Sequence, residues 1–194
     1  MAATAIVDVV DMGDPRLKSL RDSLDGYNNV VVETYPMSNG VGYVVGKIVQ
    51  ILGANGSGRL KVLRFWGHGN GNEPIAYISF GPPLAGYTPP IGSQDNWASI
   101  GAQNLPALLP TLLRLKPYFA KDARVEFRQC VFAKFAEGKS IMRQLAQLGG
   151  IAILAPEKPQ DRGELWVSPI WQASSDGKIR QLGNNEVIEV AARR

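Results

Sequence analysis

The residue types most able to do covalent chemistry occur once each in this chain of 194 residues: His68 is the single histidine and Cys130 the single cysteine. Each follows an apolar run that predicts a buried strand. A free thiol, with a pKa of about 8.5, is mostly protonated at neutral pH, but an adjacent imidazole can accept its proton to give the reactive thiolate. The two residues could therefore form a nucleophile and base pair if the fold brings their strands together.

The same two counts, together with the charge distribution, limit other kinds of site. One cysteine excludes an internal disulfide and any multi-cysteine metal site, so we expect no metal and no cofactor. The net charge is +4, but the 21 Lys and Arg residues are spread among 17 acids, and the densest basic group is the terminal 191–194. This distribution is typical of a solvated surface, so we expect no nucleic-acid partner.

The apolar runs are too short for a membrane protein. None approaches the ~18 consecutive apolar residues that span a bilayer, and the N-terminal sequence MAATAIVDVVDMGD carries acids where a signal peptide carries basic residues. We therefore expect one domain over residues 1–194, no membrane partner and a cytoplasmic location. The sequence leaves the oligomeric state open.

Strand-like and helix-like periodicities alternate along the chain. Strands are predicted at 5–10, 29–33, 60–66, 123–129 and 151–155, with helices at 17–24, 41–52, 105–119 and 137–148. This alternation predicts an α/β fold with three layers, α-β-α, around a mostly parallel sheet. Right-handed crossovers give the order 2-1-3-4-5, with His68 and Cys130 at one edge on neighbouring strands.

Two further segments depart from this alternation. Residues 69–102 are rich in Gly and Pro and contain at most one short strand, at 75–80. A loop of this length is either an active-site flap or a surface excursion, and the composition fits both. The C-terminal extension, about 160–194, predicts short strands at 164–168, 178–182 and 186–190, which could form a hairpin at the sheet edge.

The two chemistry-bearing segments resemble caspase-like cysteine peptidases. They read LRFWGHG over 63–69 and VEFRQC over 125–130, and a hydrophobic block precedes each candidate residue. The interval of 62 positions is near the separation of about 50 found in caspases. Residues 136–155 also resemble bacterial members of this superfamily. The resemblance implies a caspase-like fold over about residues 4–156.

The resemblance also implies a role for each candidate residue. Cys130 would attack the scissile carbonyl of a protein or peptide substrate, and His68 would protonate the leaving amine. The backbone N–H groups of Gly69 and Cys130 would form the oxyanion hole. Arg128 and Asp11 correspond to the P1 pocket. Arg128 favours an acidic P1 side chain and Asp11 a basic one, and the position of Arg128 narrowly favours the acidic choice.

Other functions compete with a peptidase. The cysteine is preceded by Gln129 and followed by bulky Val131 and Phe132, which are expected to narrow the cleft. A non-catalytic caspase-like module that binds a protein partner therefore stays open, with tryptophans as possible anchors, namely Trp66, Trp97, Trp166 and Trp171. A nucleotide-binding fold is disfavoured because no GxGxxG motif follows the first strand.

Overall fold

Strands and helices alternate through most of the chain. A computed structural model describes residues 4–12, 15–25, 30–34, 40–67, 77–79, 99–102, 104–128, 131–160 and 169–187. The elements in order are β1 (Ala5–Asp11), α1 (Lys18–Asp25), β2 (Val30–Thr34), α2 (Val41–Leu52), β3 (Leu60–Trp66), β4 (Tyr77–Ser79), β5 (Ser99–Gly101), α3 (Leu105–Leu113), β6 (Phe119–Phe127), α4 (Ala136–Gly149), β7 (Ala152–Pro156), β8 (Ile170–Ala173) and β9 (Ile179–Gln181).

Seven of these strands form one mixed, mostly parallel sheet in the order β2-β1-β3-β6-β7-β8-β9. The first five are parallel to one another, and β8 and β9 add an antiparallel hairpin beside β7. The α/β class and the predicted order 2-1-3-4-5 are confirmed, because the fourth and fifth predicted strands are β6 and β7. The hairpin at the sheet edge is also present.

Helices cover both faces of the sheet. On one side, which we call the helix-rich face, α2, α3 and α4 pack on a continuous core with Val9, Phe65 and Phe127. On the other side, α1 packs on Val10 and Trp66, while residues 182–187 contact β7 and β8. We call this second side the ionic face, since it carries Asp8, Arg64 and Glu126 on β1, β3 and β6. No helix within the described ranges is long and apolar enough to cross a membrane.

Local sequence explains where the two longest helices lie. In α2 the buried positions recur at helical spacing, at Val41, Val44, Val45, Ile48 and Leu52. In α4 the buried residues include Ile141 and Met142, and the helix ends where Gly150 takes a left-handed conformation, with φ at 71°. Only a residue without Cβ adopts this conformation without strain, so the glycine terminates the helix.

Several predicted boundaries are wrong. The predicted helix 105–119 ends at Leu113, and a 3-10 turn over Lys116–Tyr118 leads into β6, which begins at Phe119 instead of residue 123. Pro117 lacks the N–H that would extend the helix. Residues 184–187 are helical, so the predicted strand 186–190 is wrong at its start. The sequence did not predict β5 or β8, and the predicted strand 164–168 lies outside the described residues.

The core allows a matched test of burial. Ile141 on α4 is 0% exposed and Ile51 on α2 is 44% exposed. Ile141→Ala is expected to lower the free energy of unfolding by about 2–5 kcal/mol, because it removes buried methyl groups and leaves a cavity. Ile51→Ala, measured by the same urea titration, is expected to change it by less than about 1 kcal/mol. Equal losses in both variants would contradict this description of the core.

Candidate active site

The carboxyl ends of β3 and β6 lie side by side. The two strands are parallel neighbours, with Phe65 in register with Phe127. The pairing extends one residue beyond β6, because the backbone N–H of Arg128 donates to the carbonyl of Phe65 at 2.8 Å. In parallel α/β sheets, this edge is where ligand-binding and catalytic groups gather.

The predicted catalytic residues follow directly from this edge. His68, Gly69 and Cys130 lie outside the described residues, so the prediction that they form a catalytic site stays a prediction. After β3 the described residues end at Gly67, and after β6 they end at Arg128 and resume at Val131. Both predicted P1 residues are described: Asp11 is buried at the end of β1, and Arg128 is buried beside β6.

The residue after Cys130 has an unusual backbone conformation. Val131 lies in the left-handed region, with φ at 50° and ψ at 15°, and no other described residue except glycine has a positive φ. A β-branched side chain is strained there, at a cost of roughly 1–3 kcal/mol. Such strain is concentrated at functional sites, where it aims a neighbouring group.

The side chain of Phe132 does not narrow a cleft as expected. It is buried in the core and meets the ring of Phe127 edge-on, with the centroids 5.2 Å apart. The two rings join the segment after Cys130 to β6, since offset and edge-to-face pairs add to the stability gained from burial. The Phe132 ring is therefore part of the core that lies between the sheet and the helices of the helix-rich face.

The most unusual feature of the described chain is a buried ion network on the ionic face. Glu126 has no solvent exposure and contacts three guanidinium groups. Arg64 donates to its Oε2 at 3.1 Å and Arg124 to its Oε1 at 2.5 Å. Arg128 donates to Oε2 through both Nε, at 2.9 Å, and Nη2, at 2.6 Å. The carboxylate thereby links β3 to β6 at the same register level.

The network continues from β3 to β1. Asp8 is fully buried, and its Oδ1 accepts the indole N–H of Trp66 at 2.7 Å. The same oxygen lies 3.7 Å from a guanidinium nitrogen of Arg64. The Trp66 ring in turn faces the Arg128 guanidinium, whose carbon is 5.2 Å from the ring centroid, within the range of a cation-π contact. Side chains of three adjacent strands are thus joined.

Burial and charge act in opposite directions on these groups. Burial alone raises the pKa of Glu126, but the combined attraction of Arg128, Arg64 and Arg124 exceeds it, so the pKa lies below the ordinary 4.5. For Asp8, burial raises the pKa more than the Arg64 charge and the Trp66 hydrogen bond lower it, so the pKa lies above the ordinary 3.8. Burial also lowers the pKa of Arg128, partly offset by Glu126. Glu126 is therefore the ionised centre of the network.

Sequence reasoning missed this network, although a signal was present. Arg124, Glu126 and Arg128 alternate with apolar residues, and Asp8 and Arg64 interrupt otherwise apolar strands. Alternation of this kind usually marks a solvated face. Two of the four tryptophans proposed as interface anchors also have other roles: Trp66 is buried in the network, and Trp171 lies half-buried beneath Lys139.

A concave feature of the described chain lies away from this edge. A cavity of about 60 Å³ between α3, α4 and the helix-rich face is lined by apolar side chains, among them Leu63, Leu109 and Leu145. Binding sites need a few polar groups that orient the ligand, and the residues lining this cavity carry no polar side chain. This apolar cavity is therefore not a candidate catalytic site.

No protein-family model matches the chain, and no curated protein is significantly similar to it.

The network predicts a large effect of one neutral substitution. Glu126→Gln is expected to lower the free energy of unfolding by about 3–5 kcal/mol, since it leaves three buried arginines without their central anion. The difference from the original protein should be full above pH 4.5 and narrow as the pH falls, because protonation of Glu126 removes the same charge.

Glu186→Gln is the matched control for this measurement. Glu186 also pairs with an arginine, Arg180 at 2.7 Å, but at an exposed position. Surface pairs contribute little, so chemical denaturation should reveal only a small change. A loss as large as that of Glu126→Gln would show that burial of the network is not the reason for its effect.

Proposed function

We propose that this chain is a caspase-like cysteine endopeptidase with Cys130 as nucleophile and His68 as general acid and base. The observation that carries the proposal is the pairing of β3 with β6 up to Arg128, which ties two chain segments together just before the two residues. Covalent geometry keeps the His68 Cα about 3.8 Å from that of Gly67, and the Cys130 Cα within about 7.6 Å of that of Arg128. Neighbouring strands are separated by about 4.8 Å.

The chemistry follows from the two side chains. His68 would take the thiol proton, and the Cys130 sulfur would form a bond to the scissile carbonyl carbon. The carbon-nitrogen bond would then break as the imidazolium returns its proton to the leaving amine, and water would hydrolyse the thioester. The backbone N–H groups of Gly69 and Cys130 would stabilise the oxyanion, a role that does not depend on their side chains.

The conformation of Val131 supports the assignment of Cys130. A strained turn directly after a strand holds the nucleophile of other hydrolases exposed at the sheet edge. Here the strained residue follows Cys130 directly, and its N–H donates to the carbonyl of Lys158 at 3.3 Å.

The dyad is tested by thiol reactivity and hydrolysis. Iodoacetamide is expected to alkylate Cys130 at pH 6 about fivefold or more faster than a model thiol, because His68 lowers the thiol pKa. His68→Ala should remove this advantage and lower peptide hydrolysis by about 10²–10⁴-fold. Cys130→Ala should abolish hydrolysis.

Two outcomes would contradict the peptidase. Alkylation that occurs only after denaturation would identify Cys130 as a buried structural residue. If neither the intact nor the proteolytically nicked protein cleaves peptides, and Cys130→Ala still binds the same protein partner, the chain is the non-catalytic caspase-like module.

We propose an acidic P1 side chain as the preferred substrate residue. Arg128 stands two positions before Cys130, and Glu126 engages its Nε and Nη2. A guanidinium can bind a carboxylate through paired N–H donors, and the position of Arg128 before Cys130 therefore favours an acidic P1 side chain. Asp11, buried at the end of β1, is the competing residue and would favour a basic P1 side chain.

A peptide library measures this preference as a ratio. Acidic P1 residues should be enriched over neutral ones, and Arg128→Gln should reduce that ratio by about tenfold while retaining donors toward Glu126. The ratio within one variant cancels any general loss of rate. Enrichment of basic P1 residues that disappears in Asp11→Asn would assign the pocket to Asp11 instead.

A further inference from the structure

We propose that Trp66 and Arg128 form a clamp, anchored by Asp8 and Glu126, that positions the catalytic pair. The inference rests on the proposed dyad of His68 and Cys130 and adds positioning residues that act on it only through the backbone. Trp66 is the last residue of β3, and Arg128 is the first residue beyond β6. Both side chains lie on the ionic face, at the edge from which the candidate residues follow.

The contacts of the clamp form a continuous chain across three strands. Asp8 on β1 accepts the indole N–H of Trp66, and the Trp66 ring faces the Arg128 guanidinium. Glu126 then holds Arg128 through two N–H groups, which fixes the plane of the guanidinium. Because all four side chains are buried, each contact is stronger than it would be in water.

The position of the clamp explains why it is needed. Glycines stand on both sides of His68, at 67 and 69, and glycine gives the backbone more conformational freedom than any other residue. Trp66 is therefore the last residue before His68 with a side chain that can anchor the strand. Arg128, the first residue after β6, has the same position relative to Cys130, with Gln129 alone between them. The contact between Trp66 and Arg128 therefore fixes the separation between the end of β3 and the end of β6.

Trp171 provides a matched control for Trp66. Its indole N–H also donates to a carboxylate, Glu157 at 2.5 Å, and a cation, the Lys139 ammonium, lies 3.5 Å from its ring centroid. Trp171 belongs to β8, two strands from β6, and packs against the core of the helix-rich face. Trp66→Phe and Trp171→Phe thus remove the same donor and weaken the same type of stacking at two places.

Amide hydrogen exchange by NMR tests the clamp without reference to catalysis. The backbone N–H of Arg128 is hydrogen-bonded to the carbonyl of Phe65. Trp66→Phe is expected to increase the exchange rate of this N–H by about tenfold, whereas Trp171→Phe should leave the rate unchanged. Asp8→Asn retains an oxygen for the indole and should preserve protection, while Asp8→Ala should resemble Trp66→Phe. Unchanged protection in both Trp66→Phe and Asp8→Ala would overturn the clamp.

The rate of Cys130 alkylation against pH then tests positioning. In Trp66→Phe the apparent thiol pKa should shift toward the free value, about 8.5, as in His68→Ala, while Trp171→Phe should retain the original profile. On a cleaved peptide, Trp66→Phe should lower kcat more than it raises KM. If the pH dependence of alkylation is unchanged in Trp66→Phe but shifted in His68→Ala, the positioning role of Trp66 is overturned and the dyad is retained. An unperturbed thiol in the original protein would instead overturn the proposed function and, with it, the positioning role.

Discussion

The arrangement at the centre of this sheet depends on one buried carboxylate. Glu126 has no access to water, yet three arginines from two strands surround it and keep it ionised. Removing these charges from water costs more than a hydrophobic substitute would, so the network is weak evidence for stability as such. Its geometry is what apolar side chains would not reproduce: the Arg64 guanidinium on β3 donates to one oxygen of Glu126 on β6, which favours the observed register between the two strands.

The two faces of the sheet consequently have different roles. On the helix-rich face, apolar side chains pack without directional contacts and include most of the buried apolar residues described. On the ionic face, hydrogen bonds and ion pairs fix how β1, β3 and β6 are aligned near their carboxyl ends. A site that needs two side chains at a defined separation benefits from the second kind of contact, because precise geometry depends on supporting hydrogen bonds. The strained backbone of Val131, beside this edge, is consistent with a site that depends on precise geometry.

The sequence was sufficient for the central elements and insufficient at the periphery. The run from Leu60 to Trp66 is continuously apolar apart from Lys61 and Arg64, which is typical of a strand buried on both faces, and β3 has these bounds. In contrast, β5 has three residues and gains its order from pairing with β4, which no local pattern records. In the helical turn at 184–187, Val187 packs with Leu182 against β7 and β8, and the Glu186 carboxylate accepts the backbone N–H of Gly183 at the start of the turn.

The network was missed for a related reason. Charged residues at alternate positions of β6 look the same in sequence whether they face solvent or form a buried network with Arg64 of β3. Which of the two occurs depends on the strand order and register. His68 and Cys130 could be chosen as candidates because they are the only residues of their types. Arg128 was chosen by resemblance, and its partner Glu126 emerged only from the packed sheet.

The most direct test of the central claim is the distance between the Cys130 sulfur and the His68 ring in a crystal structure of the full chain at neutral pH. We expect a sulfur-to-nitrogen distance within about 4 Å, or one that a loop movement at the sheet edge can close to hydrogen-bond reach. A separation beyond about 10 Å, with neither side chain able to turn toward the other, would contradict a nucleophile and base pair at this edge.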